Sequence, residues 1–331
     1  MESPHRLETK IPSRDVAVVV SSHQKTPGIE DCLQGFRQMV KKSRDLIFVN
    51  NGSGNELGNQ VRRKFPGITL INLPKNKLFC GGYNAGIRQA LERGYEFILI
   101  SNADTQVVNH RFLEELLEAA GRWPRSAFVG PLVYWRGAGT VQKTCLRFPR
   151  FYENVAIWLP WRIARGWFEQ QPAREREVEF LNGVCVLCRA EALKQIGLMD
   201  ENMGGYVEDA DWAWRAKKKG WSSVFIPIPS IVHHENSNGY EPYSLKTFLL
   251  KRNTVYWYLK IGRRASALSY ARASQLIAMV RFYLANNGEE KNMHRYFLEK
   301  LATCFSGLLS NQALGEWFGP PLGPWREEEA S

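Results

Sequence analysis

Short apolar runs of strand character alternate with stretches of helical spacing from Val16 to Val133, and most of the runs end in small polar turns. Val16 to Val20 is a continuous, largely β-branched run, as expected of a strand buried on both faces. Ile29 to Val40 has helical spacing, with Leu33, Phe36 and Val40 on one side. Leu46 to Val49 is a second strand and stops at Asn50-Asn51-Gly52-Ser53, a strong turn signal. Gln60 to Phe65 reads as a short helix, Ile68 to Leu73 as a strand, and Ala85 to Arg93 as a helix. Tyr95 to Ile100 is a fourth strand, ending at Ser101-Asn102-Ala103-Asp104. Arg111 to Ala120 is helical, and Ala127 to Val133 is a further strand. This order predicts an α/β fold, a mostly parallel central sheet flanked by helices. Ligands of such sheets bind beyond the carboxyl ends of the strands. The turns Ser21-Ser22-His23, Asn50-Asn51-Gly52-Ser53 and Asn102-Ala103-Asp104 therefore converge on one crevice.

The second half is less regular. Arg136 to Arg176 is rich in Trp, Arg and Pro without periodicity and reads as an insertion over the site or a surface-binding flap. Glu179 to Arg189 has strand character, Ala190 to Ile196 and Glu208 to Lys219 are helical, and Ser223 to Ile228 is a strand. From Tyr243 onward the chain reads as helices. A length of 331 residues with 44% hydrophobic side chains suits one large α/β domain with a helical appendage.

The net charge of +11 suits anionic partners: nucleotide diphosphates, nucleic acid or an acidic membrane surface. No stretch approaches the roughly 18 apolar residues of a membrane span. The start, MESPHRLETKIPSRD, is polar, so the expected location is the cytoplasm, with peripheral contact to the inner face of a membrane. Six scattered cysteines read as reduced, buried thiols. Cys185 and Cys188 form a CxxC with no second pair to complete a zinc site. No Gly-x-Ser-x-Gly elbow indicates a serine hydrolase.

Three groups carry candidate chemistry. Asp104 sits at the ligand edge, where a carboxylate either caps a helix or holds a hard divalent cation. Glu208-Asp209-Ala210-Asp211 opens a helix. Acids there favour the helix dipole, yet three carboxylates in four residues repel one another unless one meets a metal or acts as a base. Glu208 and Asp211 share a helical face and Asp209 points elsewhere, which permits one acid for binding and another for proton transfer. His233-His234 follows a strand; in extended chain, neighbours point oppositely, so one faces inward as a ligand and the other outward. Alongside these, NKLFCGGYNAGI (76–87) is a Gly-rich turn leading into a helix, where Gly81, Gly82 and Gly86 let backbone approach a ligand or a neighbouring element closely.

In order and spacing, the chain resembles the family 2 glycosyltransferases, in particular their bacterial rhamnosyltransferase-like branch. The matching stretches are VAVVVSSHQ, FVNNGSGN, NKLFCGGYNAGI, ILISNADT, FLNGVCVLCRAEALKQIGLMDENMGGYVEDADWAWRAKKKGW, VHHENSNG and LLKRN. The resemblance runs from about Val16 to Asn253 and implies a GT-A (Rossmann-like) fold with a C-terminal helical extension. It divides the chain into a loose leader (1–14), a nucleotide-sugar-binding catalytic domain (15–240, with the insertion at 136–176) and a helical region (241–331). It also implies an inverting transfer of a sugar, rhamnose as the best guess, from a nucleotide diphosphate donor to a glycan or lipid-linked acceptor, assisted by Mg²⁺ or Mn²⁺.

By the same resemblance Asp209 is the general base, and Asp104 with His233 (alternate His234) holds the metal. Ser21, Ser22, His23, Asn50, Asn51, Ser53, Gly81, Gly82, Asn84 and Asn102 line the donor. Glu208, Asp211 and Trp212 serve the acceptor or support the site. The chain departs from the family pattern at Asn50, where relatives commonly carry Asp, at Leu78 in a usual Gly position, and at Ala103, which leaves one carboxylate in its turn. A sugar nucleotidyltransferase, a basic nucleic-acid-binding protein and an inactive family member are the competing readings. Against the first two, Ser21-Ser22-His23-Gln24 is no basic Gly-rich loop, and the dispersed basic residues form no recognised nucleic-acid module.

Overall fold

The computed structural model describes residues 15–136, 140–149, 172–234, 245–284 and 288–310. The expected leader, the 137–139 and 150–171 portions of the Trp/Arg-rich segment, and the boundary near 241 lie outside the described residues.

Strands β1 (Val16–Ser22), β2 (Leu46–Asn51), β3 (Thr69–Leu73) and β4 (Phe97–Asn102) form a parallel block in the order β3-β2-β1-β4. Helices α1 (Ile29–Met39), α2 (Asn55–Lys64) and α3 (Leu78–Glu92) are the crossovers. A short strand β5 (Thr105–Val107) and α4 (Phe112–Arg122) follow, then β6 (Ser126–Trp135) and the two-residue strands β7 (Val141–Gln142) and β8 (Cys145–Leu146). Next come β9 (Arg176–Val178), β10 (Phe180–Leu181), β11 (Cys185–Arg189), α5 (Ala190–Ile196), α6 (Glu208–Lys218) and β12 (Ser222–His233). β11 inserts antiparallel between β4 and β6, β12 runs parallel to β6, and β5 closes the edge antiparallel to β12. The sheet is thus parallel in its first half and mixed in its second. Helices α7 (Leu245–Lys260), α8 (Arg264–Leu284) and α9 (Gly288–Leu309) complete the described chain.

The unbroken Val16–Val20 run is explained by burial on both faces. Val19 packs into one apolar cluster with Ile47, Val49 and Ile87, while Val18 and Val20 pack into the other with Leu33, Phe36 and Phe112. Each such side chain contributes roughly 1.5–3 kcal/mol when withdrawn from water. The first cluster continues into α7, where Trp257 meets Phe148 and Trp214. The six cysteines are buried and form no disulfide; in β11, burial pushes the Cys185 and Cys188 thiols far up.

The Gly-rich segment differs from its sequence reading. α3 starts at Leu78, so Gly81 and Gly82 lie inside the helix instead of in a turn before it. A Cβ on Gly82 would come within 2.6 Å of Ser21 Oγ and 2.7 Å of Asn51 Nδ2, and one on Gly86 within 2.3 Å of Val19 Cγ1. Glycine here lets α3 lie directly on β1 and β2 and holds the strand ends in register.

Candidate active site

Strand register brings the polar turns together. Ser22 pairs with Asn50 across β1–β2, and Ser21 pairs with Asn102 across β1–β4. Beyond these ends lies a crevice of about 290 Å³ lined by Ser21, Ser22, His23, Asn51, Tyr83, Asn102 and Asp104, among others. Asn51 shapes its floor: Nδ2 donates to Leu78 O at 2.9 Å and Oδ1 accepts from Lys77 N at 2.9 Å. The buried Tyr83 hydroxyl donates to Ser101 O at 2.7 Å, pinning α3 to the end of β4.

At one end of the crevice, His233 Nε2 lies 3.2 Å from Asp104 Oδ1 and 3.3 Å from Asn102 Nδ2. The pairing of β12 with β5 brings a residue distant in sequence to Asp104: His233 is opposite Thr105, and His234 N donates to Asp104 O at 2.8 Å. The His233 ring is buried, lies against Trp135, and directs Nδ1 at Gln142 Oε1, 3.0 Å away. An amide oxygen only accepts, so Nδ1 carries a hydrogen. Nε2 then presents a lone pair that can accept from Asn102 Nδ2 and, beside the Asp104 carboxylate, can face a cation. Burial raises the Asp104 carboxyl, but the hydrogen bond and charge of His233 outweigh it and hold the group below its ordinary range.

One carboxylate oxygen and one imidazole nitrogen meeting at a phosphate-sized crevice suit Mg²⁺ or Mn²⁺. Among the described residues no cluster of three or more His, Cys, Asp or Glu forms. A cation held by Asp104 and His233 therefore needs further ligands from the donor or water. His234 has a different environment: burial and then Arg136 lower its pKa, and its Nε2 has no partner among the described residues.

Asp209 stands at the start of α6, beside a small cavity of about 20 Å³ that it lines with Phe79, Gly183, Glu208 and Trp212. Phe79 also lines the larger crevice, so one ring separates the two. Asp209 Oδ1 accepts from Ala210 N at 2.9 Å. Burial raises its carboxyl from 3.8 to about 6, against the backbone N–H groups of Ala210 and Gly183, which lower it. Glu208 is pushed well above the carboxylate range, first by burial and then by the charge of Asp209, and its Oε2 has no partner. Burial thus displaces both carboxyls toward the neutral form.

The α6 N-terminus is held by a strained loop. Tyr206 and Val207 have φ of 64° and 71°, a left-handed conformation that costs about 1–3 kcal/mol per residue in non-glycine positions. Asn253, buried on α7, offsets this. Its Nδ2 group donates to the carbonyls of Met203 (2.9 Å), Gly205 (2.7 Å) and Tyr206 (2.8 Å). Arg252 adds a hydrogen bond to Asn202 O at 2.8 Å and holds Asn253 Oδ1 at 3.0 Å.

Several expected site residues do other work. Asn50 is consumed inside its turn, donating to Gly54 O at 2.7 Å and Asn72 Oδ1 at 3.0 Å and accepting from Ser53. Ser53 is thereby tied to Asn50. Asn84 binds α3 to the chain at Met199, Nδ2 donating to Met199 O and Oδ1 accepting from Met199 N. Gly81 and Gly82 are buried in α3. Asp211 is held by Arg215 at 2.8 Å and Lys260 at 2.9 Å, and Trp212 donates to Gly197 O at 2.8 Å while packing on Phe128. Ser21, Ser22, His23, Asn51, Asn102 and Asp104 do meet in the crevice. Phe79, Tyr83, Gln142, Trp135 and Asn253 were not anticipated. Phe79 and Tyr83 lie in the quoted NKLFCGGYNAGI stretch and Asn253 in LLKRN; Trp135 and Gln142 had no distinguishing signal.

The family model for glycosyl transferase family 2 matches residues 17–197, more than half of the chain. The chain belongs to that family and is a glycosyltransferase, with the GT-A-like α/β fold that its motifs implied. More particularly, it is rhamnosyltransferase-like. It is similar to the N-acetylglucosaminyl-diphospho-decaprenol L-rhamnosyltransferase of two strains of Mycobacterium tuberculosis, 27% identical over 265 residues covering 72% of this chain and 85% of the relative. The low-salt glycan biosynthesis hexosyltransferase Agl10 of Haloferax volcanii is 20% identical over 225 residues, covering 67% of each chain. Among solved structures, S. aureus TarS 1-349 matches with a TM-score of 0.49 at 12% identity, covering 89% of this chain and 81% of that one.

Proposed function

We propose that the protein is an inverting glycosyltransferase that moves a sugar, rhamnose by analogy with its mycobacterial relatives, from a nucleotide diphosphate donor to a glycan or lipid-linked acceptor. The observation that carries this reading is the adjacency, across Phe79, of a crevice ending in the Asp104–His233 pair and a partly buried carboxyl, Asp209, raised to about 6.

The strand-end turns of β1, β2 and β4 bind the nucleotide diphosphate, with Ser21 and Ser22 toward its polar groups and Asn51 shaping the floor beneath it. Asp104 and His233 would hold a Mg²⁺ or Mn²⁺ ion, which would supply positive charge beside the diphosphate. Gln142 fixes the His233 tautomer and so keeps Nε2 directed at that place. Asp209 takes the proton of the acceptor hydroxyl while its oxygen bonds to the anomeric carbon. The bond from that carbon to the diphosphate oxygen breaks with its electron pair, and the single displacement inverts the anomeric centre. Burial and the charge of Asp209 disfavour a second negative charge on Glu208 beside the base. The acceptor approaches from the Asp209 side, and the enzyme works peripherally on a membrane. Family membership favours this over a nucleotidyltransferase or a nucleic-acid-binding protein.

The test is a thermal-shift screen of nucleotide diphosphates and sugar nucleotides with and without Mn²⁺, followed by product analysis. A ligand that binds only the native state raises the apparent Tm. A metal-dependent shift with one donor class and a product of inverted configuration are expected. No shift with any sugar nucleotide would overturn the reading.

A further inference from the structure

Nine large hydrophobic side chains are exposed among the described residues, and five of them lie on one helix. Leu276, Met279, Val280, Tyr283 and Leu284 of α8 are 39–75% exposed. Their spacing puts them on one side of the helix. The opposite side, which packs inward, is built from Ala267, Tyr270, Ala271, Ser274 and Ala278. This reverses the usual arrangement of a surface helix, in which the large apolar residues face the core.

Along α7 and α8 the charge has one sign. From Leu245 to Leu284 the chain carries eight Lys or Arg and no Asp or Glu. Arg272 is exposed on the apolar face itself. Lys251 of α7 is mostly buried, has no carboxylate partner among the described residues, and is lowered to about 8 by burial and then by the charge of Arg281. Helix α7 adds exposed groups on the side of the candidate active site. Exposed Leu250 adjoins Lys251; Lys246 lies one turn earlier; and Lys246 Nζ is 5.8 Å from the Tyr206 ring centroid. Tyr206 precedes Asp209 by three residues.

We propose that the outer face of α8, extended by Leu250, Lys246 and Tyr206, seats the protein on an anionic lipid surface, with the acceptor side of the site opening toward that surface. Apolar side chains enter the headgroup boundary and the flanking cations meet lipid phosphates. A second copy of the chain is a poor occupant, because a two-fold interface would set these cations against one another. Delivery of a lipid-linked acceptor to Asp209 rests on the function proposed above. The seating itself is measured without turnover.

The experiment uses the full chain in co-sedimentation with phosphatidylcholine vesicles, with and without phosphatidylglycerol, at low and high salt. Binding is expected only to the anionic vesicles and weakens with salt. The triple variant Leu276→Gln, Met279→Gln, Leu284→Gln alters exposed positions only and is expected to keep the native circular dichroism spectrum and Tm. Its partitioning should fall by more than about a hundredfold. Absence of wild-type binding to anionic vesicles at low salt overturns the proposal. So does undiminished binding by the folded triple variant, or a wild-type dimer in light scattering that the variant dissociates. Vesicle binding by a chain that shows no shift with any sugar nucleotide would sink the proposed function and leave the seating intact.

Discussion

Two aspartates separated by one aromatic ring are tuned in opposite directions. Asp104 faces His233 and is held low, so it stays charged. Asp209 accepts from backbone N–H groups and has no cationic partner among the described residues, so burial prevails and raises it to about 6. A carboxylate that must hold a positive partner needs to remain ionised across the working pH range. One that must accept a proton needs an affinity near that range. Residue type is the same in both places; the nearest partner decides the role. α3 and the Phe79 ring keep the two environments apart.

The strongest way to break this contrast is Asp209→Asn. Transfer should fall about a thousandfold or more, while metal-dependent donor binding survives in the thermal-shift assay. The variant should be no less stable at neutral pH, since it removes a carboxyl that the fold holds in an unfavourable charge state. Normal turnover would remove Asp209 from the base role. The pH profile sharpens the same point: below about pH 6, kcat/KM should drop tenfold per pH unit as Asp209 takes up its proton. A flat profile down to pH 5 would show that another group governs the proton.

On the other side of Phe79, Asp104→Asn should leave the fold intact and weaken Mn²⁺-dependent donor binding by about a hundredfold. Gln142→Leu is the milder probe. It frees the His233 tautomer, and a loss of about tenfold in Mn²⁺-dependent donor affinity is expected, with no change in metal-free nucleotide binding. Equal losses with and without metal would mean that Gln142 only supports the local fold.

The contrast was only half legible in the sequence. The parallel block was readable because its strands are apolar runs and its turns are clustered Asn, Ser and Gly. Asp104 and Asp209 stood out by chemical type at strand and helix ends. The residues that tune them did not. Gln142 comes from the aperiodic Arg136–Arg176 region, and nothing in its neighbours ties it to a histidine ninety residues away. Asn253 acts on backbone carbonyls, which leave no trace in side-chain patterning. Gly81 and Gly82 suggested a turn because glycine weakens helices, yet contact with Ser21 and Asn51 requires a small residue inside α3. Asn50 and Asn84 have the right chemistry for a ligand, but their polar atoms are bonded within the protein, Asn50 to its own turn and Asn72, Asn84 to Met199 and Glu201.

Glu208→Gln tests the quieter member of the acidic pair. Glu208 is raised above its unfolded value, so the folded state binds its proton more tightly than the unfolded chain does. Its contribution to stability is fully present below the unfolded glutamate pKa of about 4.3 and is lost as pH rises through the folded value. Glutamine keeps the shape and cannot ionise. The variant should therefore raise Tm by a few degrees under conditions alkaline enough to ionise Glu208, and by nothing at pH 4. The same change removes a charge that would otherwise oppose ionisation of Asp209, so the low-pH limb of the activity profile should stay where it is or move slightly downward. An upward movement of that limb would mean that Glu208 shares a proton with Asp209 and that the two titrate as one group.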